Sequence, residues 1–181
     1  MKVSASIVWK KNLIVIRPLS KYNLKGALEV LDKVFGESEE DKFGYTRGFN
    51  ASLGNKKYLA MYPAERPKYL KYFVALDKKT GKVVGTTGLY AYEKDWRDNA
   101  FSTGWFGVDP VYRGLGIGKQ LLTFTIEKAK KLKRKYLRLW TSDTELTETA
   151  RKMYESRGFI ITAEKKEAGK DYTTIYMELK I

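Results

Sequence analysis

At 181 residues the chain is about one domain long, and its 43% hydrophobic content, with 13 Tyr, 8 Phe and 4 Trp, supplies the bulk for a core and excludes wholesale disorder. It has no Cys and no His, which excludes disulfides, zinc–thiolate sites, thiol nucleophiles, imidazole bases and Ser-His-Asp triads. Lys and Arg number 35 against 21 Asp and Glu, a formal net charge of +14 that favours anionic company without choosing among nucleic acid, an acidic membrane surface and a phosphate-rich ligand.

Taken in chain order, Leu13 to Arg17 is a β-rich run closed by Pro18 and predicts a first strand. Apolar residues at helical spacing from Leu24 to Phe35 predict a helix over 22–35, with Gly36 at its C-cap. Glu37 to Pro67 mixes acidic residues, aromatics and Gly44, Gly48 and Gly54, and is read as one or two short helices. Tyr72 to Leu76 and Lys82 to Tyr92 form a hairpin about Asp77–Gly81. After a charged turn, Glu93 to Asp98, a third strand over 101–108 completes a meander that Asp109-Pro110 stops.

The stripe Ile117, Leu121, Leu122, Ile126, Ala129 and Leu132 predicts a helix over 116–133, and a short strand over 136–140 follows. Ser142 and Glu145 have capping-box spacing before a helix that ends at Gly158. Two strands, 159–163 and 172–179, complete the chain around a polar turn at Gly169. The string predicts one α/β domain over 1–181, a mixed and mostly antiparallel sheet of about seven strands flanked by helices on both faces. The longest apolar runs, Leu13 to Ile16 and Leu121 to Leu122, are far short of the roughly 20 residues that span a bilayer, and Lys10, Lys11 and Asn12 interrupt any signal-like start. A cytoplasmic protein is the expectation.

The most informative segment runs from Val108 to Leu122: a strand end, a basic glycine-rich turn and a helix start. Glycines let backbone N–H groups approach a ligand closely, and a helix N-terminus adds partial positive charge, which is the geometry of a phosphate site. A Walker A loop fails here, because Arg113 stands where its first Gly belongs and Gln120 where Ser or Thr follows Lys119. A dinucleotide fingerprint fails too, because Gly114, Gly116 and Gly118 fall at every second residue and follow a meander.

The remaining pattern, Arg113-x-x-Gly116-x-Gly118 within Val108-Asp109-Pro110-Val111-Tyr112-Arg113-Gly114-Leu115-Gly116-Ile117-Gly118, resembles the acetyl-coenzyme A motif of the GCN5-related N-acetyltransferase (GNAT) family. Ala150-x-x-x-Tyr154-x-x-x-Gly158-Phe159 is similar to a later signature of that family, and the resemblance extends over roughly Leu13 to Leu179. It implies an acetyl-CoA-dependent N-acetyltransferase acting on a primary amine of a small molecule or peptide, by direct attack in a ternary complex and with no metal. The pyrophosphate is expected on Arg113, Gly114, Leu115, Gly116, Ile117, Gly118 and Lys119, and the pantetheine arm along Phe106, Gly107 and Val108. An N–H near Val108 would polarise the thioester carbonyl. Tyr154 takes the position of the family's general acid, and Thr147 replaces a frequent Asn that holds the pantetheine.

No carboxylate lies on the strand before the motif, so the base stays open among Glu93, Asp95, Asp98 and water. The lack of Cys excludes a cysteine acyl-enzyme. The acceptor cleft is expected from Glu37 to Pro67 and Glu164 to Tyr172. There Glu37, Glu39, Glu40 and Asp41 offer charge to an amine but read better as an acidic helix start.

Two other classes stay open: a non-catalytic acyl-CoA sensor and, less favoured, a basic nucleic-acid-binding module. No nucleic-acid motif is present, and core packing accounts for the aromatics. A membrane partner is not expected, and a homodimer is compatible with the sequence. From Lys119 to Arg138 eight basic residues stand against Glu127 alone, and those toward the helix C-terminus are favourable against its dipole. Much of the charge therefore calls for no polyanion; Arg113 and Lys119 are the pair tied to phosphate.

Overall fold

The computed structural model describes residues 13–36, 38–62, 65–166 and 168–181. Its strands are β1 (Ile14–Pro18), β2 (Tyr69–Asp77), β3 (Val83–Ala91), β4 (Ala100–Val108), β5 (Tyr136–Ser142), β6 (Ile160–Lys166) and β7 (Thr173–Lys180). Its helices are α1 (Leu24–Phe35), α2 (Glu39–Ser52), α3 (Lys56–Ala60), α4 (Glu93–Arg97), α5 (Ile117–Lys131) and α6 (Glu145–Glu155). The seven strands form one sheet in the order β1-β2-β3-β4-β5-β7-β6, antiparallel except at β4–β5. The expected α/β class, strand number and mostly antiparallel pairing are all present.

Strand alternation sends residues to two cores. On β2, Tyr72 and Val74 pack with Ala27 and Leu31 of α1 and with Tyr45 and Phe49 of α2, whereas Ala75 joins Ile117 and Leu121 of α5 on the opposite face. Leu89, Phe101, Leu137 and Met177 close the second face with Leu122 of α5 and Tyr154 of α6. The central strands are therefore buried on both sides and lack the alternation of a half-exposed strand.

Three local readings need correction. The segment after α1 holds a full α-helix of 14 residues, α2, and the short α3, longer than the one or two short helices expected. Residues 93–97 form the one-turn helix α4 where a turn was expected. The capping box at Ser142 does not form: Ser142 ends β5, Thr144 is the N-cap without a side-chain bond, and α6 starts at Glu145. What organises that entry is Thr147, whose hydroxyl donates to the Ser142 carbonyl at 2.7 Å, and Arg151, whose Nη1 donates to the same carbonyl at 2.5 Å.

Phe101 and Phe106 are an odd number of residues apart, yet both reach the core on the α5–α6 side. An extra residue in β4 reconciles them: Thr86 faces Gly107 while Gly88 faces Gly104, so two steps on β3 match three on β4. The bulge falls at Trp105, held at φ +42°, a conformation costly for a bulky residue. Thr86 Oγ1 donates to the Trp105 carbonyl at 2.7 Å, and the Trp105 ring turns toward α2, edge-on to Tyr45 at 5.5 Å. Gly44 and Gly48 of α2 make room for it: a Cβ at Gly44 would lie 2.7 Å from Trp105 Cζ2, and one at Gly48 3.4 Å from its Nε1.

Candidate active site

The parallel pairing of β4 with β5 covers only Ala100–Ser102 against Tyr136–Arg138. Beyond it β4 keeps β3 on one side while β5 continues with β7. Among the described residues, no ladder joins 103–108 to 139–142. One edge of β4 is thus left with unpaired N–H and C=O groups inside the molecule, an arrangement that invites an extended ligand.

At the end of that edge the glycine turn has the local structure its spacing implies. Asp109 accepts from the Val111 N–H at 3.1 Å and anchors a 3-10 turn, Pro110–Tyr112. Gly114 and Gly116 then adopt φ of +75° and +78°, and α5 opens at Ile117 with no acidic residue in its first turn. The first N–H groups of α5 have no helical partner, and no carboxylate competes there for an anion. Arg113, Gly114, Leu115, Gly116 and Lys119 are exposed, so the turn is accessible. Asp109 is nearly buried and ion-paired to Lys33 at 2.6 Å, a structural tie beneath the turn. Arg113 folds back, donating from Nε to the Val108 carbonyl at 3.3 Å.

Phe106 and Val108 flank the open edge, and Gly107 packs under Leu31 and Val34, where a Cβ would approach to 3.2 Å. Tyr154 of α6 lies edge-on to Phe106, ring centroids 6.0 Å apart, and is only 6% exposed. Burial alone raises its phenol well above the usual tyrosine range, so it holds its proton at neutral pH. Thr147 spends its hydroxyl proton on the Ser142 carbonyl and offers a ligand only oxygen lone pairs.

The three turn carboxylates are held by cations. Glu93 pairs with Lys68 at 2.8 Å, and the hydrogen bond from Lys68 lowers its pKa. Arg138 Nη1 binds Asp95 at 3.2 Å and Asp98 at 2.8 Å, and its Nε binds Glu178 at 2.8 Å. Burial works against the guanidinium's charge, but the hydrogen bonds to Glu178, Asp98 and Asp95 outweigh it and raise its pKa further. Asp95 also accepts from Ser102 Oγ at 3.4 Å, at the point where β4 and β5 stop pairing. Glu39, Glu40 and Asp41 form the first turn of α2, where Ser38 caps the Asp41 N–H, so their placement has a structural reason; Glu37 lies outside the described residues.

A cavity of about 170 Å³ opens where the strands part, against Thr103, Gly104 and Trp105 of β4 and Trp140 of β5. Gly44 and Arg47 of α2, Tyr62, Leu70 and Tyr72, and Tyr90 and Tyr92 complete it. It draws on the expected 37–67 segment but on no residue of 164–172. Core packing was too simple a reading of the aromatics, because six of them wall this cavity. The local signals were Tyr90 and Tyr92 two apart at the end of β3, and Gly44 and Gly48 one helical turn apart; nothing local marked Arg47. Burial pushes the Tyr90 phenol up to about 12, and the negative charge of Asp95 adds to that rise.

A sheet split along an internal edge, with a glycine turn and helix N-terminus at its mouth, defines a coenzyme A-type acyltransferase fold. The acetyltransferase (GNAT) domain family matches residues 68–161, from β2 through the start of β6, and the chain belongs to that family of acetyl-CoA-using acetyltransferases. A GNAT-family protein from Desulfovibrio desulfuricans superposes with a TM-score of 0.73 at 16% identity, over 92% of this chain and 98% of that one. A GNAT acetyltransferase from Elizabethkingia anophelis with acetyl-CoA bound gives 0.64 at 20% identity, over 94% and 100%. The ribosomal-protein-S18-alanine N-acetyltransferase of Escherichia coli gives 0.66 at 17% identity, over 93% and 94%. At these identities the likeness is one of fold. No curated protein matches the sequence. Among the described residues, no helix is long and apolar enough to cross a membrane, and no cluster of three carboxylates forms a metal site.

Proposed function

We propose that the protein transfers the acetyl group of acetyl-CoA to a primary amine in a single ternary complex. The observation that carries this reading is the interrupted β4–β5 pairing, which leaves one edge of β4 free between the glycine turn and the aromatic cavity. The pyrophosphate sits on the backbone of Arg113 to Lys119, where orphan N–H groups and the α5 dipole favour negative charge. The pantetheine pairs with Phe106 to Val108 as an added strand, which brings its thioester toward the cavity. A β4 N–H near Val108 stabilises the charge that grows on the carbonyl oxygen.

The acceptor ammonium loses a proton, its nitrogen bonds to the acetyl carbon and sheds a second proton to solvent, and the carbon–sulfur bond breaks. Tyr154, kept protonated by burial, gives its proton to the departing thiolate and recovers one from solvent. Of the three turn carboxylates, Asp95 is the one that touches the cavity lining, accepting from the Tyr92 N–H at 3.3 Å, and its charge reaches Tyr90. We assign removal of the ammonium proton to water at Tyr90, with Asp95 behind it. Free-thiol release from acetyl-CoA with a panel of amines tests the reading: amine-dependent release supports it. Cofactor binding without release to any amine supports an acyl-CoA sensor instead.

A further inference from the structure

The cavity between α2 and the β4 bulge has a charge pattern that narrows the acceptor. Its walls are Tyr62, Tyr72, Tyr90, Tyr92, Trp105 and Trp140, and its volume of about 170 Å³ is close to the roughly 150 Å³ of an engineered cavity that holds a single benzene. The space suits an aromatic side chain whose polar end lies at the open mouth. Among the described residues, Arg47 is the one ionisable group besides tyrosine in the lining, and no carboxylate lies within ion-pair distance of it.

Two ring faces hold its guanidinium, Tyr62 at 4.5 Å and Phe43 at 5.4 Å, while its Nε is buried with no hydrogen-bond partner. A half-buried guanidinium among aromatic rings with no counter-charge is unfavourable. An anionic group on a ligand would supply the counter-charge that Arg47 lacks in the cavity. The planar fork of Arg matches a carboxylate, and aromatic walls tolerate the ammonium of the same molecule before it loses its proton.

We infer that the acceptor is an aromatic amine that also carries a carboxylate, of the aromatic amino acid type, with Arg47 binding the carboxylate and setting the specificity. This rests on the acetyltransferase reading above and names its substrate class. The test uses matched pairs that differ only in the carboxylate: phenylalanine against phenethylamine, and tryptophan against tryptamine, at saturating acetyl-CoA, read by thiol release. The acids should have kcat/KM about 100-fold above the amines. Arg47→Met should erase that ratio by raising the acceptor KM while acetyl-CoA affinity stays unchanged, and Arg47→Lys should restore part of it.

Equal or better turnover of the decarboxylated partners, or a ratio that survives in Arg47→Met, overturns the inference. Calorimetry with N-acetylphenylalanine and N-acetylphenethylamine separates this from failure of the transfer reading. Preferential, Arg47-dependent binding of the acid without thiol release leaves the ligand class standing and overturns catalysis. Thiol release to other amines without that preference overturns the ligand class alone.

Discussion

The proposed cofactor turn is continuous, running from Val108 to Gly118, whereas the proposed acceptor pocket is assembled from α2, the segment at Tyr62 and four strands. The first depends on backbone: two glycines at positive φ, orphan N–H groups and a helix dipole, with few side chains committed. The second depends on side chains from distant positions, fitted round a strained Trp105 that two α2 glycines accommodate. Backbone sites of the first kind bind a shared group, and side-chain sites of the second kind differ from one protein to the next. The two should therefore be separable by mutation.

The largest separation is expected from Gly116→Glu. The change forces a side chain onto φ +78° and sets a carboxylate at the mouth of α5, so acetyl-CoA affinity should fall by at least about 30-fold, since a lost or opposed charge contact costs roughly 2–5 kcal/mol. Ligand binding to the aromatic pocket, followed by tyrosine or tryptophan fluorescence, should persist. Tyr154→Phe comes next: it keeps the buried ring and removes the proton, so kcat should drop about 100-fold with acetyl-CoA affinity intact. Because burial raises the Tyr154 phenol, the wild-type rate should not decline through the ordinary tyrosine range near pH 10. A decline there would remove Tyr154 as the acid.

Gly44→Leu reverses the selectivity of the first variant. Its Cβ would fall 2.7 Å from Trp105, so the pocket wall must shift and acceptor KM should rise about tenfold, while acetyl-CoA binding is unaffected. Helix propensity would by itself favour this substitution, so a loss would report on the pocket.

Glu93→Gln should have the smallest effect. Its pKa is depressed by Lys68, so its stabilisation is present above the unfolded value of about 4.5 and fades as pH falls through the lower folded value. A thermal scan should find the variant slightly less stable at pH 7 and indistinguishable from wild type once the wild-type Glu93 is protonated. Activity should be retained, because Asp95, bonded to the N–H of the lining residue Tyr92, is the carboxylate joined to the cavity.

The same contrast explains what the sequence reveals. The turn was legible because its chemistry is local: Gly114, Gly116 and Gly118 announce backbone conformations, and the stripe from Ile117 to Ala129 announces the helix behind them. The sheet was legible because the two-residue period and turn residues recur in order. Ser142 misled because its spacing to Glu145 is a local signal, while tertiary contacts moved the helix start to Glu145 and gave the entry to Thr147 and Arg151. Arg47 was invisible: nothing near it in the chain distinguishes it from other cations, and only folding leaves its Nε buried and unpartnered. The β4 bulge was implicit in the odd spacing of Phe101 and Phe106, but needed knowledge that both face one core.

The central claim is that the edge of β4 and the glycine turn hold acetyl-CoA, and thermal unfolding with that ligand tests it most directly. Acetyl-CoA at about 100 times its Kd should stabilise the wild type by roughly 2.7 kcal/mol. For a chain of this length that is a rise in Tm of about 5–10 °C, absent in Gly116→Glu. A wild-type Tm that does not move with millimolar acetyl-CoA, or an equal rise in Gly116→Glu, would contradict the account.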